Sequence, residues 1–306
     1  MSKRGYISRY MLILKKLKVK PYSSYEELLE YIDNQMEYLQ MQDDKLTVGF
    51  SQRTLQRDIK EIRNLFGIGV EFSNSRKGYY IVQNEHENMN FQRMMEAFDV
   101  FNALNLTQNV RQYISFDNRV PVGTGHLYGL LYAIKNHFLI RFTYSTFWGD
   151  TTKTLVAEPY LLKEFKGRWY ILAVVESYNE IRTFALDRLT NLQTTADRFI
   201  KKEIDAPNLF KDSFGIMLGE GNPAEEVTLR FSHFQGKYIK SLPLHSSQEI
   251  LKDEPEGLTI KLKVHITFDF IMEIRSYGET VEVISPKSLR QAIRSSFEEA
   301  LTYYSL

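Results

Sequence analysis

Apolar positions recur at helical spacing through the first hundred residues and at strand alternation over much of the remaining chain. Tyr10, Leu12, Ile13, Leu14 and Leu17 mark a first helix, closed ahead of Pro21 because the residue before a proline is pushed out of helical geometry. Leu28, Leu29, Ile32, Met36 and Leu39 form the buried stripe of a second helix, which Ser23 or Ser24 can cap. Ser51 stands as N-cap to a third, Gln52–Phe66, in which Leu55, Ile59, Ile62 and Phe66 fall at i, i+4, i+7 and i+11. After Gly67 and Gly69, the runs Val70-Glu71-Phe72 and Tyr79-Tyr80-Ile81-Val82 flank a polar tip, Ser73–Gly78, and predict a hairpin.

Phe91, Met94, Met95, Phe98, Phe101 and Leu104 place a connecting helix over Asn90–Leu106. A helix over His126–His137 then leads into short strands at Leu139–Ser145, Thr154–Ala157, Pro159–Glu164, Arg168–Glu176, Ile181–Leu186 and Leu192–Ala196. So many strands with so little helix between them predict a small, strongly bent sheet or barrel. In the last hundred residues, strands at Glu225–Phe231, Ser247–Asp253, Leu258–Ile266 and Thr280–Ile284 alternate with helices at Phe234–Ser241, Phe268–Tyr277 and Pro286–Tyr304, a ferredoxin-like α/β arrangement. The expected class is α+β multidomain, divided at 1–84, 85–122, 123–203 and 204–306.

A chain of 306 residues with 43% apolar and 25% charged residues has the composition of a globular protein with several cores. It has no cysteine, which excludes disulfides, thiolate metal sites and thiol nucleophiles. No apolar run approaches the roughly 18 residues of a membrane span, and Met1–Lys20 lacks the small-residue cleavage site of a signal peptide. The expected location is the cytoplasm, with no membrane partner. A net charge of +1 conceals segregation: residues 1–83 carry 14 Lys and Arg against 10 Asp and Glu, whereas residues 203–306 carry 11 against 16. A local basic excess is the footprint of a phosphate-binding surface, although ordinary charge scatter produces similar differences.

That footprint sharpens on the third helix. Arg53, Arg57, Lys60 and Asn64 repeat the core spacing displaced by two residues, so one face packs and the opposite face is basic. Helix, helix, basic helix and a hairpin tipped by Arg76 and Lys77 is the order of a winged helix-turn-helix. Arg53, Gln56 and Arg57 are candidates for base edges, and Thr54, Lys60, Arg63, Arg76 and Lys77 for phosphates of duplex DNA. The alternative is a solvated amphipathic helix beside a surface hairpin. A second basic group lies in Gly167–Ala173 and Arg182–Arg188, where alternation puts Arg168, Tyr170 and Leu172 on one face and Arg182 with Phe184, Leu186 and Arg188 on another. Tyr144, Lys163, Arg168, Tyr170, Arg182 and Arg188 are candidates for an anionic effector, aromatic rings stacking on a base and cations holding phosphate. An ion-pair lattice with Glu176 and Asp187 is the competing reading.

Three stretches resemble known families. Ser51-Gln52-Arg53-Thr54-Leu55-Gln56-Arg57-Asp58-Ile59 is similar to the recognition helix of DeoR-like winged helices. Pro159-Tyr160-Leu161, Gly167-Arg168-Trp169-Tyr170-Ile171-Leu172 and Arg182-Thr183-Phe184-Ala185-Leu186-Asp187-Arg188-Leu189 resemble the WYL domain, named for its Trp-Tyr-Leu run. Val281–Arg290 resembles the end of the C-terminal extension that accompanies WYL domains. Ile171 departs from the name, and Ala185 stands where that family often has another arginine. The resemblance implies an Sm-like barrel that binds a nucleotide, cyclic dinucleotide or nucleic-acid fragment as a regulatory signal within a transcriptional regulator. The acidity of residues 203–306 argues against DNA contact there and for contact with a second subunit in a homodimer.

The expectation is therefore a ligand-responsive DNA-binding regulator with no catalytic residues, metal or cofactor. The rivals are a single-strand or RNA binder using the barrel as its main surface, and a nucleotide-processing enzyme. No P-loop, HExxH or GxSxG motif is present, His126 and His137 are three helical turns apart, and Asp187 is a lone acid in the candidate pocket.

Overall fold

The computed structural model describes residues 3–40, 49–82, 93–100, 123–147, 150–177, 180–219 and 221–304. They belong to two compact units, Met1–Asp117 and Asn118–Leu306.

The first unit opens with α1 (Lys3–Val19), α2 (Tyr25–Gln40) and α3 (Gln52–Phe66), followed by the antiparallel strands β1 (Gly69–Ser73) and β2 (Gly78–Val82). Ser24 rather than Ser23 caps α2: its hydroxyl accepts from the Glu27 N–H (3.3 Å), while the Glu27 carboxylate accepts from the Ser24 N–H (3.0 Å). This reciprocal box satisfies two backbone donors that the first turn leaves orphaned. Ser51 caps α3 through the Thr54 N–H (3.2 Å), and Gly67 closes it in the left-handed region at φ 70°, where a side chain is disfavoured. Met11, Leu12, Ile13, Leu14 and Leu17 of α1 are buried among Leu28, Ile32, Leu55, Ile62, Val70 and Tyr79, making α1 the hub of this core. The hairpin is fastened to the α1–α2 turn by an isolated bridge between Ser23 and Tyr79, with the Tyr79 N–H donating to the Ser23 carbonyl at 2.8 Å. Residues 93–100 are helical (α4) and add Met95 to the core. The rest of the predicted Asn90–Leu106 helix, with Phe116 and Pro121, lies outside the described residues.

The second unit begins with α5 (Leu127–Asn136) and a five-stranded antiparallel sheet: β3 (Phe138–Ser145), β4 (Thr152–Phe165), β5 (Arg168–Val175), β6 (Glu180–Ala185) and β7 (Leu189–Arg198). The two strands expected at Thr154–Ala157 and Pro159–Glu164 are one long strand, β4, whose register slips between Pro159 and Leu161. Proline has no N–H to give the ladder, so the pattern breaks there while the chain continues. The sheet order is β6-β5-β4-β3-β7. Among the described residues β6 and β7 do not pair, so of the bent sheet or barrel that the pattern allows, a closed barrel is not observed. One face buries Ile140, Phe142, Ile171, Ala173, Val175 and Phe184 with α5; the other packs Leu172 against Ala206 and Phe210 of a short helix, α6 (Ala206–Leu209), and its exit.

The chain then runs β8 (Glu225–Ser232), α7 (His233–Ser241), β9 (Glu249–Glu254), β10 (Gly257–Val264), α8 (Phe268–Ser276), β11 (Val281–Ser285) and α9 (Lys287–Thr302). The antiparallel sheet order is β11-β8-β10-β9. Val227, Leu229, Phe231, Ile260 and Leu262 alternate into a core with Phe270, Ile274 and Leu289. Among the described residues no helix is long and apolar enough to cross a membrane.

Candidate functional site

On α3 the amphipathic split is observed: Leu55 and Ile62 are buried, whereas Arg53, Gln56, Arg57, Lys60 and Arg63 are exposed and Thr54 is half-buried. Arg53, Lys60 and Arg63 make no ion pair among the described residues, so their charge is available to an anion. Two other residues are already engaged. The Gln56 amide donates to the Tyr79 hydroxyl (3.2 Å), tying the helix to β2, and Thr54 shares a hydroxyl contact with Ser51 at 2.9 Å. At the hairpin tip, the Arg76 guanidinium lies 4.3 Å from the Tyr22 ring centroid, and Lys77 turns the chain at φ 52°. Helix face and tip thus carry cations within one unit.

Beneath this face is a group that periodicity did not reveal. Asp58, on α3, is completely buried and meets Arg9 of α1, also completely buried, through two bonds: Arg9 Nε to Asp58 Oδ2, and Nη2 to Oδ1 at 2.9 Å. A buried bidentate pair is tolerated only because each charge answers the other. Arg57 Nη2 lies 3.4 Å from the same Asp58 Oδ1. The signal was present but weak: Asp58 follows Leu55 by three residues and precedes Ile62 by four, so it sits on the packing side of α3 and requires a partner.

The six candidate effector residues do not converge on one surface. Directly opposed residues of an antiparallel pair share a face, and β5 pairs Tyr170 with Ala185 and Ala173 with Arg182. Arg182 is therefore on the face of Ile171 and Ala173, and Arg168 and Tyr170 are on the other. This register divides the candidates between the two faces of the sheet. Lys163, opposite Tyr170, joins the second face, where its ammonium lies 4.5 Å from the Phe210 ring and burial pushes its pKa down. Burial likewise raises the Tyr170 hydroxyl.

On the first face, Tyr144, Arg182 and Arg188 do come together. Tyr144 is buried, accepts from the Ala185 N–H (3.5 Å), and has its pKa raised chiefly by that burial. The Arg188 guanidinium stacks 5.0 Å from the Tyr144 ring and 4.7 Å from Phe147, and pairs with no carboxylate among the described residues. A cavity of about 220 Å³ is lined by Tyr144, Thr146, Lys153, Leu155, Arg182 and Phe184. Lys153, paired with Tyr144 across β3 and β4, carries no sequence signal that singles it out. The remaining charges are partly answered. Arg182 meets Glu180 (2.7 Å) and Arg168 meets Asp187 (3.4 Å), so ion pairing does reach two of the predicted cations, though through Glu180 rather than Glu176. Asp187 Oδ1 is buried without a hydrogen-bond partner. A larger open groove, about 1240 Å³, follows the free edge of β6 between Arg182 and the stretch Ile216–Leu218, with His265 on its wall.

Comparison with known proteins places these parts. The WYL domain matches residues 125–194, and the WCX domain matches residues 223–301. The chain thus carries a WYL domain followed by a WCX domain. Among solved structures it is similar to proteasome accessory factor B/C (PafBC) of Arthrobacter aurescens, at 18% identity and TM-score 0.32 over 95% of this chain and 46% of that one. It is also similar to a CRISPR Cas-related protein, at 11% identity and TM-score 0.39 over 98% of this chain and 85% of that one. The chain thus spans about half the length of the PafBC chain, 46%. No curated protein matches the sequence.

Proposed function

We propose that the protein is a DNA-binding transcriptional regulator whose WYL domain senses a phosphorylated nucleotide or short nucleic-acid fragment. The observation that carries this reading is the cationic face of α3, continued by Arg76 and Lys77 at the hairpin tip, in a chain that also holds WYL and WCX domains. A helix of this width fits the major groove, and cations without ion-pair partners meet phosphates at no cost in broken pairs. Arg53, Lys60 and Arg63 supply such cations. The WYL cavity supports an effector with an aromatic ring and negative charge, since Tyr144 and Phe184 sit beside Arg182, Arg188 and Lys153. Its small volume suits one base or phosphate group, and the groove beyond Arg182 has room for further nucleotides.

The strand order of the WYL sheet supports an Sm-like fold left open at one edge, and the β-α-β-β-α-β order of the WCX domain supports a ferredoxin-like one. A second copy of the chain would present a second α3, and effector binding would shift the equilibrium between dimer arrangements. We read the protein as acting by binding rather than by catalysis.

The test is selection of duplexes from random DNA by the full chain, followed by binding at several salt concentrations. An inverted repeat, and affinity that falls steeply with salt, are the expected results. Lys60→Ala should weaken all duplexes about equally and lower the logarithmic salt slope by about 1. Selection of no duplex, with retention of single strands that Arg188→Ala abolishes, would favour the WYL sheet as a single-strand binding surface instead.

A further inference from the structure

We propose that Asp58, Arg9 and Tyr6 form a positioning device for Arg57, making Arg57 the specificity-determining side chain of α3; this rests on the proposed binding of duplex DNA. Four groups carry the argument. Arg9 and Asp58 are fully buried and bonded to each other at both carboxylate oxygens. Arg57 Nη2 approaches one of those oxygens, Oδ1, at 3.4 Å, while its side chain remains 54% exposed. The Tyr6 ring is shared, with the Arg9 guanidinium carbon 5.4 Å and the Arg57 guanidinium carbon 5.5 Å from its centroid.

The arithmetic of charge explains why this matters. An acid beside a DNA-facing arginine would ordinarily cancel the charge that DNA attracts. Here Arg9 answers Asp58, so the three charged groups Arg9, Asp58 and Arg57 sum to one positive charge, and of these three it is Arg57 that reaches solvent. Asp58 can then restrain one edge of the Arg57 guanidinium and Tyr6 one region of its surface while leaving other N–H donors free. A guanidinium presents its donors in a rigid fork, and restraint before binding reduces the rotamer freedom lost when that fork meets guanine O6 and N7. Arg53 and Lys60, on the same face, have no such restraint among the described residues. They suit phosphates, which tolerate a mobile cation, whereas a base edge requires a fixed one. Tyr6 and Arg9 would thus act on recognition from α1, a helix other than the one that carries Arg57.

The experiment uses the full chain and the duplex obtained by selection, with a second duplex in which single guanines are replaced in turn. The readouts are the ratio of specific to non-specific affinity and the salt slope. Arg57→Ala should lower the ratio roughly tenfold or more, the scale of one lost bidentate base contact, and flatten discrimination at one guanine position. Tyr6→Leu retains an apolar side chain but removes the ring; it should lower the ratio about threefold to tenfold at that same position and leave the salt slope unchanged. Asp58→Asn should act in the same direction. Should Asp58→Asn fail to fold, Tyr6→Leu alone decides. A Tyr6→Leu ratio within twofold of the parent chain, while Arg57→Ala collapses it, overturns the positioning role and leaves DNA binding intact. An unchanged ratio in Arg57→Ala overturns Arg57 as the reader. A parent chain that binds no duplex removes the DNA-binding reading and this proposal together.

Discussion

Replacing Asp58 by alanine should destabilise the first unit severely while leaving the second untouched. Asp58 and Arg9 are both 0% exposed and share two hydrogen bonds, one of them at 2.9 Å. Removing the carboxylate takes from a guanidinium sealed in the core the charge that answers it across two bonds. Breaking a buried pair in this way costs about 3–5 kcal/mol, a large share of the ~5–15 kcal/mol that stabilises an ordinary domain. At about 4–8 °C per kcal/mol for a small domain, the melting temperature should fall by at least 10 °C or so. The double variant Arg9→Met/Asp58→Leu should recover most of that loss, because it removes both desolvation penalties and fills the space with apolar groups. The chain supplies its own control: both tryptophans, Trp148 and Trp169, fall in the second unit, Asn118–Leu306. Thermal melting followed by far-ultraviolet circular dichroism should show an early helical transition in Asp58→Ala, while the tryptophan fluorescence transition stays where it was. If Asp58→Ala melts within about 1 kcal/mol of the parent chain, Arg9 has found water, and the argument from a sealed ion pair is wrong.

Three further outcomes are expected. Gly78→Ala would place its methyl 2.0 Å from the Tyr22 carbonyl oxygen, so the hairpin must lift off the α1–α2 turn. A stability loss on the order of 1–3 kcal/mol and weaker duplex binding should be seen by urea titration and by binding isotherm; a neutral result would mean that the turn yields freely. His245 has its pKa lowered by burial, and its Nδ1 accepts from the Ser247 N–H at 3.2 Å, which fits the neutral ring. The unfolded chain therefore binds the proton more readily than the folded one, so stability should decline as pH falls through the ordinary value of 6.5 toward the lower folded value. His245→Gln should flatten that slope in the tryptophan-reported transition, and an unchanged slope would exclude His245 as its source. Arg188→Ala and Lys153→Ala should each weaken capture of a short phosphorylated oligonucleotide by about tenfold, the scale of one charge-assisted contact, without moving duplex affinity. Parallel loss of both affinities would contradict the separation of the two sites.

Local rules written into the chain determined its elements. Ser51 and Gly67 bracket α3 because a hydroxyl and a left-handed glycine satisfy its orphaned backbone groups, and the 3–4 spacing of Leu55, Ile59 and Ile62 turns the arginines outward. Period-two alternation likewise placed β5 and β6, and short motifs were enough to point to the WYL family. What tertiary structure decided is which of those residues meet. Registers are set between strands, so only pairing could put Arg182 on the face of Ala173 and away from Arg168, and only pairing could bring Lys153 opposite Tyr144. Arg9 and Asp58 stand 49 positions apart, and nothing in either neighbourhood names the other. A helix pattern tells which way a side chain faces because the backbone repeats; it cannot tell what waits on the far side of the contact, since that depends on how whole elements pack.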